Sequence, residues 1–213
     1  MSDQEAEVDE PAAGAVRRGR PRSEKARVAI LEAGGKLLLA DGLEPVSMDA
    51  IAERAAVSKA TIYRWWPTKE TLALDVLFHE WVGDELTVAD LGSLRAELLA
   101  LFMPWVERVS ARPYGRVIGA LIAKARSDSA FSEEYDRRLV QPRREQARPL
   151  FVRAIERGEI AADTDIDVAL DLFYGALYHR LLQGHLALSD EFVVALVDMG
   201  LNGMMSRQDK AAA

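Results

Sequence analysis

The sequence predicts an all-α fold. Three observations lead to it. From Ser23 onward, apolar residues recur at spacings of three and four, the period of a helix with one buried face. The segments so marked open on Ser, Thr or Asp and close on Gly or before Pro, as capped helices do. No run of alternating apolar and polar residues flanked by turn signals, which would mark a strand, is present. With 213 residues, 49% of them hydrophobic, the chain can bury a sizeable core.

The elements follow in order. Ser23 caps a first helix with Glu24 in its first turn; Ala26, Ile30, Ala33, Leu37 and Leu38 form its apolar face, and Asp41-Gly42 ends it. Ser47 caps a short second helix that buries Met48, Ile51, Ala52 and Ala55. The turn Ala55-Ala56-Val57 leads to Ser58, the cap of a third helix over about Lys59–Trp65, stopped by Pro67. Thr68 caps a fourth helix to about Gly83, with Leu72, Leu74, Val76, Leu77 and Trp81. Ser93 opens a fifth segment, which Pro104 should kink. Pro113 suits the first turn of the next helix, which runs to about Arg126. A long stretch from about Ser132 to Arg157 carries Pro142 and Pro149 and should be bent or broken, with Gly158 as its C-cap. Two amphipathic helices, Asp165 to about Gly184 and Ser189–Met205, complete the set.

Charge is segregated along the chain. The formal net charge is −7, yet residues 17–70 are net +4, between net −5 over residues 1–16 and net −6 over residues 71–213. A local basic surface on an acidic protein is the footprint of nucleic-acid binding. There is no cysteine, which excludes a disulfide framework and Cys-based zinc sites. The acidic, polar start is unlike a secretory signal, and no apolar run approaches the ~20 residues needed to span a bilayer. The expectation is a soluble cytoplasmic protein without a membrane partner.

Two short capped helices joined by a tight turn make a helix-turn-helix. In "SMDAIAERAAVSKATIYRWWPTKE", Ala52, Ala55 and Ala56 let the helices approach and Val57 fills the angle between them. The second helix then projects Lys59, Ala60 and Thr61 from the end that enters a major groove. The run Val57-Ser58-Lys59, Thr61-Ile62-Tyr63, Trp66 and Lys69-Glu70 resembles the DNA-binding segment of the TetR/AcrR family of transcriptional regulators. The likeness covers about residues 23–77; beyond that it rests on length and helical pattern.

The resemblance implies roles residue by residue. Ser47, Ser58, Tyr63 and Lys69 match positions that contact phosphates, and Lys59, Ala60 and Thr61 match those that read bases. Arg64 adds a cation at the same edge, Trp65 stands where a backbone contact or a core role are both open, and Trp66 matches a core aromatic. Ser47, Ser58 and Thr68 are helix caps whether or not DNA is bound. Upstream, "RRGRPR" places four arginines in six residues. Arg18-Gly19-Arg20-Pro21 resembles the core of an AT-hook, and Arg18, Arg20 and Arg22 suit a narrow minor groove or phosphates.

The resemblance also implies that the C-terminal helices dimerise and sense a ligand. Reading two half-sites requires two copies. Leu170, Phe173, Leu177, Leu181, Phe192, Leu196 and Met199, on the last two helices, are the expected dimer interface, with Gly175, Gly200 and Gly203 permitting close approach. Phe102, Met103, Trp105, Tyr114, Ile118, Ile122, Tyr174, Tyr178 and His179 are the candidate lining of an apolar ligand site. The acidic balance of this region points to a cationic or neutral ligand.

No enzyme signature is present: no Gly-rich phosphate loop, no nucleophile elbow and no cysteine nucleophile. His179 and His185 are six apart, unlike the i, i+4 pair of a helical metal site, and no metal or cofactor is expected. The expected organisation is a disordered tail with a basic arm (1–22), a three-helix helix-turn-helix domain (23–67), a connecting helix (68–83), a ligand-binding and dimerisation domain (84–206) and a short tail (207–213). The expected function is a dimeric repressor on a palindromic operator, released by a small molecule. An activator, a partner-controlled regulator and an all-helical interaction protein are the alternatives.

Overall fold

The computed structural model describes residues 23–81, 87–110 and 114–204. These form α1 (Glu24–Asp41), α2 (Met48–Arg54), α3 (Lys59–Tyr63), α4 (Lys69–Trp81), α5 (Leu94–Ser110), α6 (Tyr114–Ser127), α7 (Ser129–Tyr135), a π-helical turn (Asp136–Val140), α8 (Gln141–Glu156), α9 (Ile166–Gln183) and α10 (Asp190–Met204). No β-strand occurs among the described residues, and the protein is all-α. The basic arm with Arg18, Arg20 and Arg22, Gly83, Pro113 and the C-terminal tail lie outside the described residues.

The caps stand where the sequence puts them. The hydroxyls of Ser23, Ser47 and Ser58 accept the backbone N–H groups of Ala26, Ala50 and Thr61 at 3.2–3.3 Å. Thr68 and Thr71 bond each other's backbone N–H reciprocally at 3.3 and 3.2 Å, a capping box with threonine at both ends. Asp165 caps α9, and Gly184 ends it in the left-handed region at φ 61°.

Three boundaries differ from expectation, each for a local reason. α3 stops at Tyr63, and Arg64 and Trp65 form a turn ahead of Pro67. α7 begins earlier than Ser132 because Asp128 caps it, accepting Phe131 N–H at 3.1 Å. The bend expected at Pro142 is a π-helical turn. Gln141 N–H reaches back to the Asp136 carbonyl, so the widened turn is closed before the residue that has no N–H to give. α5 continues through Pro104.

Two apolar clusters hold the fold. One joins α1–α4 to α6, α7 and the π turn, from Ile30, Leu31, Ile62, Trp66 and Leu72 to Ile118, Leu121 and Phe131. The other joins α5, α8, α9 and α10 around Leu98, Phe102, Leu150, Phe151, Leu170 and Phe173. α4 packs into the core of the first cluster, between α1 and α6. It lies close against α1, where a Cβ on Gly34 would meet Leu72 Cδ2 at 2.8 Å. Trp105 touches both clusters.

Candidate functional site

The helix-turn-helix has two faces. Ile62 and Trp66 turn inward and are buried, while Ser58, Lys59, Ala60, Tyr63 and Arg64 are exposed. The turn between α2 and α3 is a Schellman motif: Val57 N–H bonds the Ala52 carbonyl at 3.0 Å and Ala56 N–H the Glu53 carbonyl at 3.1 Å. It requires a left-handed residue, and Ala56 fills that role at φ 52°, without the freedom of glycine. The sequence reading took Ala56 only as a small packing residue.

Side chains on this face already have partners. Lys59 pairs with Asp49 on α2; both are exposed, so the pair is weak. Ser58 Oγ lies 2.9 Å from Thr61 Oγ1. Lys69 donates to the carbonyls of Leu43 and Glu44 at 3.0 and 2.8 Å, tying down the loop after α1 and leaving one ammonium proton for a phosphate. Trp65 is half-buried, with the Arg27 guanidinium 5.7 Å from its ring centroid. Tyr63 keeps its ring half in solvent.

Behind this face is a charged node that the sequence reading missed. Trp66 Nε1–H donates to Asp75 Oδ2 on α4 at 2.7 Å. Arg138, from the π turn, donates to the other oxygen of the same carboxylate, and Arg27 lies 3.8 Å from it. Arg138 also holds Glu134 at 3.0 Å and covers the ring of Phe78 on α4, 4.9 Å from its centroid. The signal was present: Asp75 is a lone carboxylate at helical spacing within the apolar face Leu72, Val76 and Leu77.

Arg138 and Phe78 also line a cavity of about 410 Å³ between α4, α5, the π turn and α8. Its apolar walls include Leu101, Phe102, Leu139, Leu150 and Tyr174, and its charged residues are Arg108, Arg138, Arg143, Arg153 and Glu145. Arg143 lies over the ring of Trp105 and donates to the Tyr178 hydroxyl. Tyr174 donates its hydroxyl to the Arg143 carbonyl at 3.1 Å, and burial pushes its pKa up to about 12, so it stays a donor at neutral pH.

The candidate lining residues divide at this cavity. Phe102, Trp105 and Tyr174 line the cavity; Met103, Tyr114, Ile118, Ile122, Tyr178 and His179 do not. Tyr114 and Ile118 are fully packed in the first cluster, and Ile122 and Met103 pack against the cores. Tyr178 stacks behind Trp105, ring centroids 5.9 Å apart. His179 is exposed, its ring 5.0 Å from that of His185 because the chain turns back at Gly184. No cluster of three metal-ligating side chains occurs among the described residues. The lining carries four arginines and one glutamate, and Asp75, Glu134 and Glu97 pair with two of those arginines, Arg138 and Arg153.

The residues of the expected dimer face divide between core and surface. Leu170, Phe173 and Leu177 are fully buried within the protomer. Phe173 packs on Gly200, where a Cβ would lie 2.6 Å from its ring, so that glycine serves an internal contact. Leu181 is half-buried with its carbonyl against Gly115, Phe192 lies under Arg180, and Leu196 is half-buried. Met199 is 75% exposed. The outward apolar residues are Val168, Leu172, Leu182 and Leu186, with Met199. α9 is apolar around much of its circumference, so spacing could not say which face turns inward.

Comparison with known proteins agrees with this geometry. Residues 30–76 match the family model described as bacterial regulatory proteins, tetR family, and residues 88–199 match a tetracyclin repressor-like C-terminal domain. The chain is 40% identical over 190 residues to YdeS of Bacillus subtilis, an uncharacterized HTH-type transcriptional regulator, covering 89% of this chain and 95% of that protein. It is 33% identical over 177 residues to the DNA-binding transcriptional repressor TetR of Mycobacteroides abscessus, covering 83% and 92%. A solved TetR family transcription regulator superposes with a TM-score of 0.66 at 36% identity, over 85% of this chain and all of the other. No described helix is long and apolar enough to cross a membrane. With a helix-turn-helix in front of a helical domain of matching type, the chain belongs to the TetR family of transcriptional regulators.

Proposed function

We propose that the protein is a homodimeric repressor of a palindromic operator and that a small molecule in the cavity releases it. Each protomer presents Lys59, Ala60 and Thr61 to base edges, and Ser47, Ser58, Tyr63, Arg64 and Lys69 to phosphates. Trp65 supports this edge, and Arg18, Arg20 and Arg22 extend the contact toward the minor groove. The one observation that carries ligand release is the Asp75 node. A single carboxylate holds Arg138, which lines the cavity, and Trp66, which anchors the end of the reading helix. A ligand that moves Arg138 or Phe78 disturbs α4 and the seat of α3 together. A near-complete switch needs about 5.5 kcal/mol of differential affinity between the two states.

The test is selection of full-length protein against a random duplex pool at physiological salt, followed by compound-induced release of Asp75→Asn and wild type. The expected result is an enriched palindrome, release of wild type, and a variant that still binds the palindrome but is released far less. No enriched palindrome, or unchanged release of Asp75→Asn, would overturn the reading.

A further inference from the structure

Two residues of the cavity wall carry a buried hydrogen-bond donor without a partner. Trp105 Nε1 and Arg153 Nε are buried and meet no acceptor among the described residues. Both residues line the cavity. A buried donor without an acceptor is costly, and native proteins rarely leave one without a reason. Arg138 and Arg153 are answered by carboxylates, Asp75 with Glu134 and Glu97 respectively. Arg143 is different. It is only part-exposed, it spends one N–H on the neutral Tyr178 hydroxyl, and it meets no carboxylate among the described residues. Its guanidinium lies over the ring of Trp105, 5.6 Å from the centroid, the same side chain that carries the orphan indole N–H. Glu145 is the one carboxylate of the lining, is exposed, and does not engage it.

We infer that the cavity takes an amphipathic monoanion: an apolar or aromatic body with a single carboxylate or similar oxyanion, the anion received by Arg143 and the Trp105 indole. The body packs against Phe102, Leu101, Leu139 and Leu150. A cavity of about 410 Å³ holds a drug-sized molecule. A planar guanidinium offers an oxyanion two parallel bonds, and the apolar walls raise the value of each. A cationic ligand would face Arg143 with no carboxylate to balance it. This inference deepens the ligand-release reading and rests on it.

The test uses full-length protein and two fluorescent probes that share one aryl frame. Anilinonaphthalene sulfonate carries the anion, and phenylnaphthylamine lacks it. Wild type should bind the sulfonate roughly ten- to a hundredfold more tightly than the neutral probe, the span of a charge-assisted bond. Arg143→Gln should abolish that preference while the neutral probe still binds; Arg143→Lys, which keeps the charge, should retain part of it. Equal affinities for the two probes in wild type would overturn the assignment of charge while the ligand-release reading stood, and this comparison needs no variant to fold. A preference that survives Arg143→Gln would overturn it as well. Failure of both probes to bind would overturn the inference and the reading beneath it.

Discussion

Single residues set the geometry of the DNA-reading turn. The chain closes two helices with the same Schellman bonds, α2 through Ala56 and α8 through Gly158. Gly158 takes φ 72° at no steric cost, whereas Ala56 holds φ 52° against its own Cβ. Ala56→Gly should therefore relieve strain, less the larger unfolded-state entropy of glycine. The expected net gain is about 0.5–1 kcal/mol, or a rise in Tm of about 2 °C by thermal denaturation. A fall in Tm would show that the Ala56 methyl contributes more by packing than its conformation costs. The positive φ was not legible because alanine gives no sign of it, while Gly158 announced its own. Asp75 was legible in principle, as a charge on an apolar face, but its partners were not. Arg138 is 63 residues away in the chain, and no local pattern pairs the two.

At the scale of elements, periodicity and caps were informative and long-range pairing was not. Ser23, Ser47, Ser58, Thr68 and Asp165 each mark a helix start because a cap bonds backbone within three residues of itself, so its signal is local. Pro142 signalled a break, and the structure supplies the form it takes. What holds α5 to α8 could not be read from either segment. Glu97 is fully buried in α5 and receives Arg153 at 2.8 Å and Arg157 at 3.1 Å, while its carboxylate also accepts Leu91 N–H at 3.3 Å. Neither guanidinium is more than a quarter exposed. Glu97→Ala takes the carboxylate from Arg153 on the cavity wall, while Arg157 keeps Asp90 and Glu159. The expected loss is about 3 kcal/mol in urea unfolding. A loss below about 1 kcal/mol would mean that water screens the pair as it does at a surface.

In the proposed function the whole molecule places two reading helices on one duplex, and the exposed apolar face of α9 is the surface proposed to join the two copies. Val168, Leu172, Gly175, His179 and Leu182 follow one another along α9 at alternating steps of four and three, the spacing of a helix seam, and Leu186 lies beyond the turn at Gly184. Val168, Leu172 and Leu186 are each at least half exposed, and a Cβ on Gly175 would meet nothing. Met199 on α10, three-quarters exposed, is the most open large apolar side chain described. Apolar residues gathered on one outward face mark an association surface, and a second copy of the chain would cover it with its own. Of the residues the sequence offers for the contact, Met199 stands in solvent, whereas Leu170, Phe173 and Leu177 are buried within the protomer. A charge at Phe173 would break the core against Gly200 and test folding instead. Leu172→Glu with Met199→Glu tests association, since both side chains stand in solvent and their exchange should change folding stability by about 0.5 kcal/mol or less each. The expected outcome is a monomer by analytical ultracentrifugation, with helical content and Tm near wild type. Its operator affinity should fall to that of a single half-site, far below the dimer's, because each half-site's binding energy then stands alone. A double variant that stays dimeric would move the interface elsewhere. One that is monomeric yet binds the palindrome as tightly as wild type would mean that the two reading helices act independently, and ligand release would then have to work within one protomer, through Asp75.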